Sequence, residues 1–257
     1  TPQEIFFYRF LIAYLGIWVI SPKRLFTNNW KDELWLVAGG IFGGSLYFFT
    51  ENTALGITQA SNVSFIICTA PLLTTILSLL FYKSEKASKG LIYGSLLALM
   101  GVGLIVFNGS FVLKISPIGD LLTLLAALSW AFYSLIIKKM AGRYPTVFIT
   151  RKIFFYGVLT ILPAFLLHPL HPDTVVLLQP AVLFNLLFLA VLASLICYVL
   201  WNVVLKQLGT VRASNYIYLN PLVTMIASFL ILDEKITLVA LGGAACIVCG
   251  VYWAEKK

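Results

Sequence analysis

The chain has 257 residues, of which 60% are hydrophobic and 11% charged, and its mean hydropathy is +0.96. Soluble domains are only about 45–50% apolar, so the composition excludes a water-soluble fold and points to an integral membrane protein. The formal charge of +8 is therefore read loop by loop as a topology signal, and not as a surface for nucleic acid.

Apolar stretches long enough for the roughly 20 residues of a spanning helix run from about 2 to 20, 33 to 56, 58 to 82, 88 to 107, 117 to 138, 145 to 168, 180 to 205, 210 to 232 and 237 to 254. They predict an all-α polytopic membrane protein with nine transmembrane helices. The breaks carry turn and charge signals: Ser21-Pro22-Lys23-Arg24, Lys83-Ser84-Glu85-Lys86, Asn108-Gly109-Ser110, Gly142-Arg143-Tyr144-Pro145, His168-Pro169-Leu170-His171-Pro172 and Asp233-Glu234-Lys235. All connections are short, which leaves no room for a soluble domain. Alternate connections hold 13 Lys and Arg, Lys23, Lys83, Lys138, Lys206 and Lys256 among them, against two on the opposite side, Lys114 and Lys235. The positive-inside rule then predicts a multi-pass protein of the cell membrane, the bacterial inner membrane, with its C-terminus cytoplasmic and Thr1 outside.

The chain also repeats itself. Leu55-Gly56, Ala60-Ser61-Asn62, Pro71, Glu85-Lys86, Gly94 and Gly101 return in order as Leu208-Gly209, Ala213-Ser214-Asn215, Pro221, Glu234-Lys235, Gly243 and Gly250. The offset is 153 from Gly56 to Gly209, 150 from Pro71 to Pro221 and 149 from Glu85 to Glu234, a drift made by small insertions and deletions. The helices holding the two prolines lie five steps apart in helix order, an odd number, so the copies cross the membrane in opposite directions. Such inverted repeats are the architecture of secondary transporters. The first copy spans 1–107 and the second 117–254, within one integral membrane domain. Pro2 with Arg9 matches Pro145 with Arg151 at an offset of 143, whereas the helix beginning at Pro117 has no counterpart. The expectation is a native protein of ten helices, five plus five, whose first helix is missing here.

Several side chains stand out for chemistry. Glu51 follows Tyr47 by four positions and shares its helix face; a carboxylate within a span is costly enough to suggest a proton or a cationic substrate group as its partner. The alternative is a hydrated carboxylate at the helix end, five residues before Gly56. Pro71 and Pro221 are expected to kink their helices and leave the carbonyls of Ile67 and Ile217 as acceptors toward a cavity. Asn62 and Asn215 read either as helix caps or as hydrogen-bonding groups between helices. Trp130 with Tyr133, Tyr198 with Trp201 and Asn202, and Tyr218 with Asn220 form an aromatic and amide set suited to a small-molecule cavity, or to packing. From these, Tyr47, Glu51, Asn62, Trp130, Tyr198, Asn202 and Tyr218 are the expected substrate contacts.

Other features read as structural. Arg9 and Arg151 are expected to snorkel to head groups, and Gly39, Gly40, Gly43 and Gly44 to allow close helix packing. Cys246 and Cys249 have CxxC spacing without a second pair, and His168 and His171 lack a third ligand, so neither set predicts a metal. No nucleotide-binding loop, catalytic triad or metalloprotease motif occurs in the sequence. No cofactor is expected.

Leu195-Ile196-Cys197-Tyr198-Val199-Leu200-Trp201, Leu208-Gly209-Thr210-Val211-Arg212-Ala213-Ser214, Leu219-Asn220-Pro221-Leu222, Asp233-Glu234-Lys235 and Leu128-Ser129-Trp130-Ala131 together resemble the EamA family of the drug/metabolite transporter superfamily, across both copies. The resemblance implies ten helices in two inverted repeats around a central cavity and export of metabolites or amino acids. The function expected is thus a secondary transporter of a small organic metabolite working by alternating access, and not an enzyme, with proton coupling and a homodimer as further partner relations. The rivals are an intramembrane enzyme, which would need a clustered nucleophile or acid pair that is not seen, and a non-transporting receptor or scaffold.

Overall fold

The computed structural model describes residues 1–22, 26–82, 88–107, 116–167, 169–170, 174–232 and 236–256. All regular structure among them is helical: α1 (Pro2–Ile20), α2 (Trp30–Gly40), a π turn (Ile41–Ser45), α3 (Leu46–Ile57), α4 (Ala60–Ile67), α5 (Ala70–Phe81), α6 (Lys89–Phe107), α7 (Pro117–Ala141), α8 (Thr146–Ile161), the short α9 (Ala164–Leu167) and α10 (Thr174–Leu177), α11 (Pro180–Leu187), a second π segment (Phe188–Ile196), α12 (Cys197–Leu208), α13 (Thr210–Asn215), a 3₁₀ segment (Tyr216–Leu219), α14 (Asn220–Leu232) and α15 (Leu238–Glu255). Among the described residues, eight helical runs are long and apolar enough to cross a membrane, from Pro2–Ile20 to Leu238–Glu255. The expected span 33 to 56 is helical as α2, the π turn and α3, but it is not among the eight. Lys31, Asp32, Glu33 and Glu51 lower the apolar character of that run, so composition alone does not add it to the eight.

Local chemistry explains the helix starts. Asn29 accepts from the Lys31 N–H at 3.0 Å, and Asp32 and Glu33 follow in the first turn of α2, where the helix dipole favours negative charge. Thr237 caps α15 through the Ala240 N–H at 3.1 Å. Gly209 opens α13 at φ +81, a left-handed conformation that a side chain would strain.

The chain divides into two compact units, one of Thr1–Phe49 with Phe132–Gln207 and the other of Thr50–Ala131 with Leu208–Lys257. Each unit draws on both sequence copies, so a copy is not itself a compact body. In the first unit α8 packs on α1, α2 and the π turn. Glycines allow the approach: a Cβ on Gly40 would stand 2.5 Å from Tyr156 Cβ and 2.9 Å from the Gly157 N, and one on Gly43 would collide with the Tyr133 ring. Phe10 fills the space beside them, with ring centroids 4.3 Å from Phe6, 5.0 Å from Phe154 and 5.6 Å from Tyr198.

In the second unit α6 and α15 make the most extensive helix pairing, and α4, α14 and the 3₁₀ segment pack against α6. A Cβ on Gly94 would collide with the Gly250 carbonyl oxygen, and one on Gly101 would lie 2.5 Å from that of Gly243. The early glycine of each helix thus meets the late glycine of the other, so the two helices run antiparallel. Cys68, Ala98, Val102, Tyr218, Ile247 and Val251 form a buried core around this seam.

Candidate functional site

Both prolines follow a local departure from α-helical geometry within the membrane-length runs Ala60–Phe81 and Thr210–Ile231. Pro71 lies in the first turn of α5, after α4 has ended at Ile67, and Pro221 is the second residue of α14, after the 3₁₀ segment. At such places the missing proline N–H has no intrahelical partner to lose, so chain termination and restart cost less than a mid-helix kink. Cys68 and Tyr218 occupy the same place in the two copies, three residues before each proline, and they share one buried cluster of the second unit.

Beside these breaks lie buried polar groups. Asn215 ends α13 and is fully buried, and neither its Oδ1 nor its Nδ2 has a hydrogen-bond partner among the described residues. The Thr74 hydroxyl on α5 is likewise fully buried and unpartnered there, and the Tyr218 hydroxyl lies toward Ser95 without reaching hydrogen-bond geometry. Other hydroxyls of these helices bond back to a carbonyl four residues earlier, Thr75 to Pro71 at 2.9 Å and Ser214 to Thr210 at 2.7 Å. Ser78 and Thr210 bring α5 and α13 together, their hydroxyls 3.5 Å apart. Orphan groups of this kind cost about 1–3 kcal/mol each, and they offer donors and acceptors to a solute or water. Neither asparagine is a cap: the N-caps of α4 and α13 are Gln59 and Gly209, because Asn62 lies inside α4 and Asn215 at the far end of α13. Asn62 is buried, and Glu51 and Trp130 are half-buried, in the same unit.

The first unit holds the remaining expected contacts, and two of them, Tyr198 and Asn202, are hydrogen-bonded within it. Tyr133 donates to Asn202 Oδ1 at 2.7 Å, Asn202 Nδ2 donates to Thr150 Oγ1 at 2.9 Å, and Tyr198 donates to the Gly43 carbonyl in the π turn at 2.6 Å. A π turn frees a backbone carbonyl from regular pairing, and the Tyr198 hydroxyl supplies a donor for it. Tyr198 and Asn202 do share a face, and their polar atoms are used inside the unit. Tyr47, half-buried on α3, sets its ring edge-on to Phe48 at 5.0 Å.

A charge cluster joins α2 to α8. Lys152, deeply buried on α8, pairs with Glu33, which also accepts from Tyr156 and from the Thr27 hydroxyl at 2.7 Å. Arg143 and the Tyr144 hydroxyl hold Asp32 at 2.5 and 3.0 Å. Arg151 is buried and donates to the Ser21 carbonyl, and Arg9 donates to Ser194 Oγ at 2.8 Å with its guanidinium 4.6 Å from the Phe48 ring centroid. The arginines therefore turn to partners within the protein and do not snorkel, since an inward guanidinium is tolerated only where acceptors meet it. Lys152 was legible as a lysine within a span; its partner, 119 positions away in sequence, was not. A cleft of about 370 Å³ in this unit is walled by Ile5, Tyr8, Val182, Leu186 and Leu189 with Asn185, and it gathers none of the expected contacts. His168, His171 and the Glu85, Lys86, Glu234 and Lys235 blocks lie outside the described residues.

Comparison with known proteins identifies the family of the chain. The sequence profile of the EamA-like transporter family matches residues 1–107 and 117–254. An "uncharacterized transporter" of Archaeoglobus fulgidus is 30% identical over 261 residues, covering 100% of this chain and 88% of its own. A "probable amino-acid metabolite efflux pump" of Salmonella typhimurium is 26% identical over 257 residues, covering 94% and 84%, and a like-named protein of Escherichia coli is 24% identical over 241 residues, covering 91% and 81%. A solved crystal structure superimposes with a TM-score of 0.81 at 18% identity, covering 99% of this chain and 87% of that one; it bears on the fold alone.

Proposed function

Because the chain belongs to the EamA-like transporter family and is built of membrane-length apolar helices, we propose that it is a secondary transporter exporting a small organic metabolite, an amino acid or a close derivative, by alternating access of two inverted repeats. One observation carries the reading. At equivalent places in the two copies the α-helix is interrupted before a proline, by a turn at 68–69 and by the 3₁₀ segment Tyr216–Leu219, and unpartnered buried polar groups lie beside these places. Discontinuous helices with free polar groups are how secondary transporters build solute sites away from water. The reciprocal glycine contacts of α6 and α15 support the inverted relation, because exchanging the copies maps the Gly94–Gly250 contact onto Gly243–Gly101.

The solute contacts proposed are Asn62, Thr74, Trp130, Asn215 and Tyr218, with Glu51 as the carboxylate for a proton or a cationic amino group. The efflux-pump names of two relatives support the amino-acid class. The test is efflux of amino acids from proteoliposomes at several pH values. Glu51→Gln keeps size and hydrogen bonding while removing charge, so it is expected to alter the pH profile of transport while the protein still folds, and Glu51→Asp to do so more mildly. A parent-like profile in Glu51→Gln would remove Glu51 from the coupling role. Absence of flux for any small solute would favour a receptor or scaffold.

A further inference from the structure

We propose that the outer groove at one end of the α6–α15 pair is a binding site for a single acidic phospholipid. The groove, of about 810 Å³, lies within the second unit, and its polar end is set by Lys89, the first residue of α6, and Lys256, which follows the last turn of α15. Both lysines are exposed. They meet because the helices run antiparallel, and the chain packs closely there: a Cβ on Gly90 would stand 2.9 Å from the Trp253 carbonyl and 3.4 Å from that of Lys256.

From the lysines the groove continues as an apolar strip. Lys89, Tyr93, Leu96 and Met100 follow one another at helical spacing on a single face of α6, and Tyr93, Leu96, Met100 and Trp253 are 62, 52, 56 and 54% exposed. From Lys89 to Met100 the strip is about 16 Å long at 1.5 Å per residue, half of the roughly 30 Å hydrocarbon core. Two ammonium groups, two aromatic rings beside them and one leaflet's depth of apolar wall match an anionic head group, its interfacial region and an acyl chain in turn. Glu255, the nearest described carboxylate on α15, lies two positions from Trp253, off the groove face, and one of its carboxylate oxygens is buried. By the charge bias of the loops this end is cytoplasmic, the leaflet where basic pockets between helices collect acidic lipids.

The experiment is native mass spectrometry of the purified chain exchanged into equimolar phosphatidylglycerol and phosphatidylcholine. One phosphatidylglycerol is expected to remain bound in preference to phosphatidylcholine by about tenfold, and Lys89→Gln/Lys256→Gln to abolish the preference while Lys89→Arg/Lys256→Arg keeps it. Lys31→Gln, at an exposed lysine of the first unit, is expected to leave it unchanged. Equal retention of the two lipids by the parent protein, or undiminished selectivity in the double Gln variant, would overturn the proposal. So would efficient cross-linking of Tyr93→Cys between two copies in acidic bilayers, which would give the groove to a second protomer. Solute transport does not enter the readout, so this test and the transport test fail independently.

Discussion

Lys152 and Glu33 show how a single pair settles what composition leaves open. A lysine two turns into a membrane-length helix is expensive unless a counter-charge meets it, and Glu33, steadied by Thr27 and Tyr156, is that counter-charge. Lys152→Met would leave the glutamate largely buried without its cation, which is expected to cost about 3–5 kcal/mol, read as a lower midpoint in detergent-induced unfolding. Lys152→Met/Glu33→Gln is expected to recover most of the loss, because the neutral amide keeps a hydrogen-bonding head for Tyr156 and Thr27. A double variant no more stable than the single would place the damage in lost packing and not in the stranded charge. The same logic separates Asn202 from Asn215: both are fully buried amides, yet Asn202 has its oxygen and nitrogen bonded to Tyr133 and Thr150, while Asn215 has neither bonded among the described residues. The sequence placed Asn202 among the expected contacts and left Asn215 out, since a residue type does not record whether a neighbour about 50 or 70 positions away supplies a partner.

At the scale of helices, the seam between α6 and α15 depends on glycine at close backbone contacts. A Cβ on Gly243 would stand 2.7 Å from the Gly101 carbonyl oxygen, whereas nothing lies within 4 Å of one on Gly242. Gly243→Ala is therefore expected to destabilise by about 1–3 kcal/mol through forced separation of the backbones, and Gly242→Ala to be neutral or to stabilise by up to about 1 kcal/mol through reduced freedom of the unfolded chain. Adjacent residues with opposite responses in thermal unfolding would verify the seam; equal responses would refute it. Much at this scale was legible beforehand. Apolar length placed α6, α7 and α15 within a few residues, whereas the recurrence of Gly94 and Gly101 as Gly243 and Gly250 marked the repeat without marking the seam between the two helices. The π segments at Ile41–Ser45 and Phe188–Ile196 were not legible, because one extra residue in a turn leaves no mark in hydropathy. Nor was it legible that Pro71 and Pro221 start helices, since proline in an apolar run is equally compatible with a kink and a break.

For the molecule as a whole, the orientation proposed from the loop charges and the antiparallel pairing seen in the structure meet at one end of α6 and α15. The loop charges, 13 against two, predict that the C-terminus and the connection before α6 face the cytoplasm. Quite apart from charge, the crossed glycine contacts require the start of α6 and the end of α15 to lie on the same side. In a background lacking the four native cysteines, Ser88→Cys and Lys256→Cys are thus expected to be shielded together from a membrane-impermeant thiol reagent in intact cells and labelled together after permeabilisation. Ile236→Cys, just before α15, is expected to react from outside. The outcomes discriminate sharply. Labelling of Ser88→Cys and Lys256→Cys in intact cells would invert the orientation while sparing the antiparallel pair, and would move the proposed lipid to the outer leaflet. Labelling of one without the other would break the pair itself, and with it the local two-fold relation on which the inverted-repeat mechanism rests.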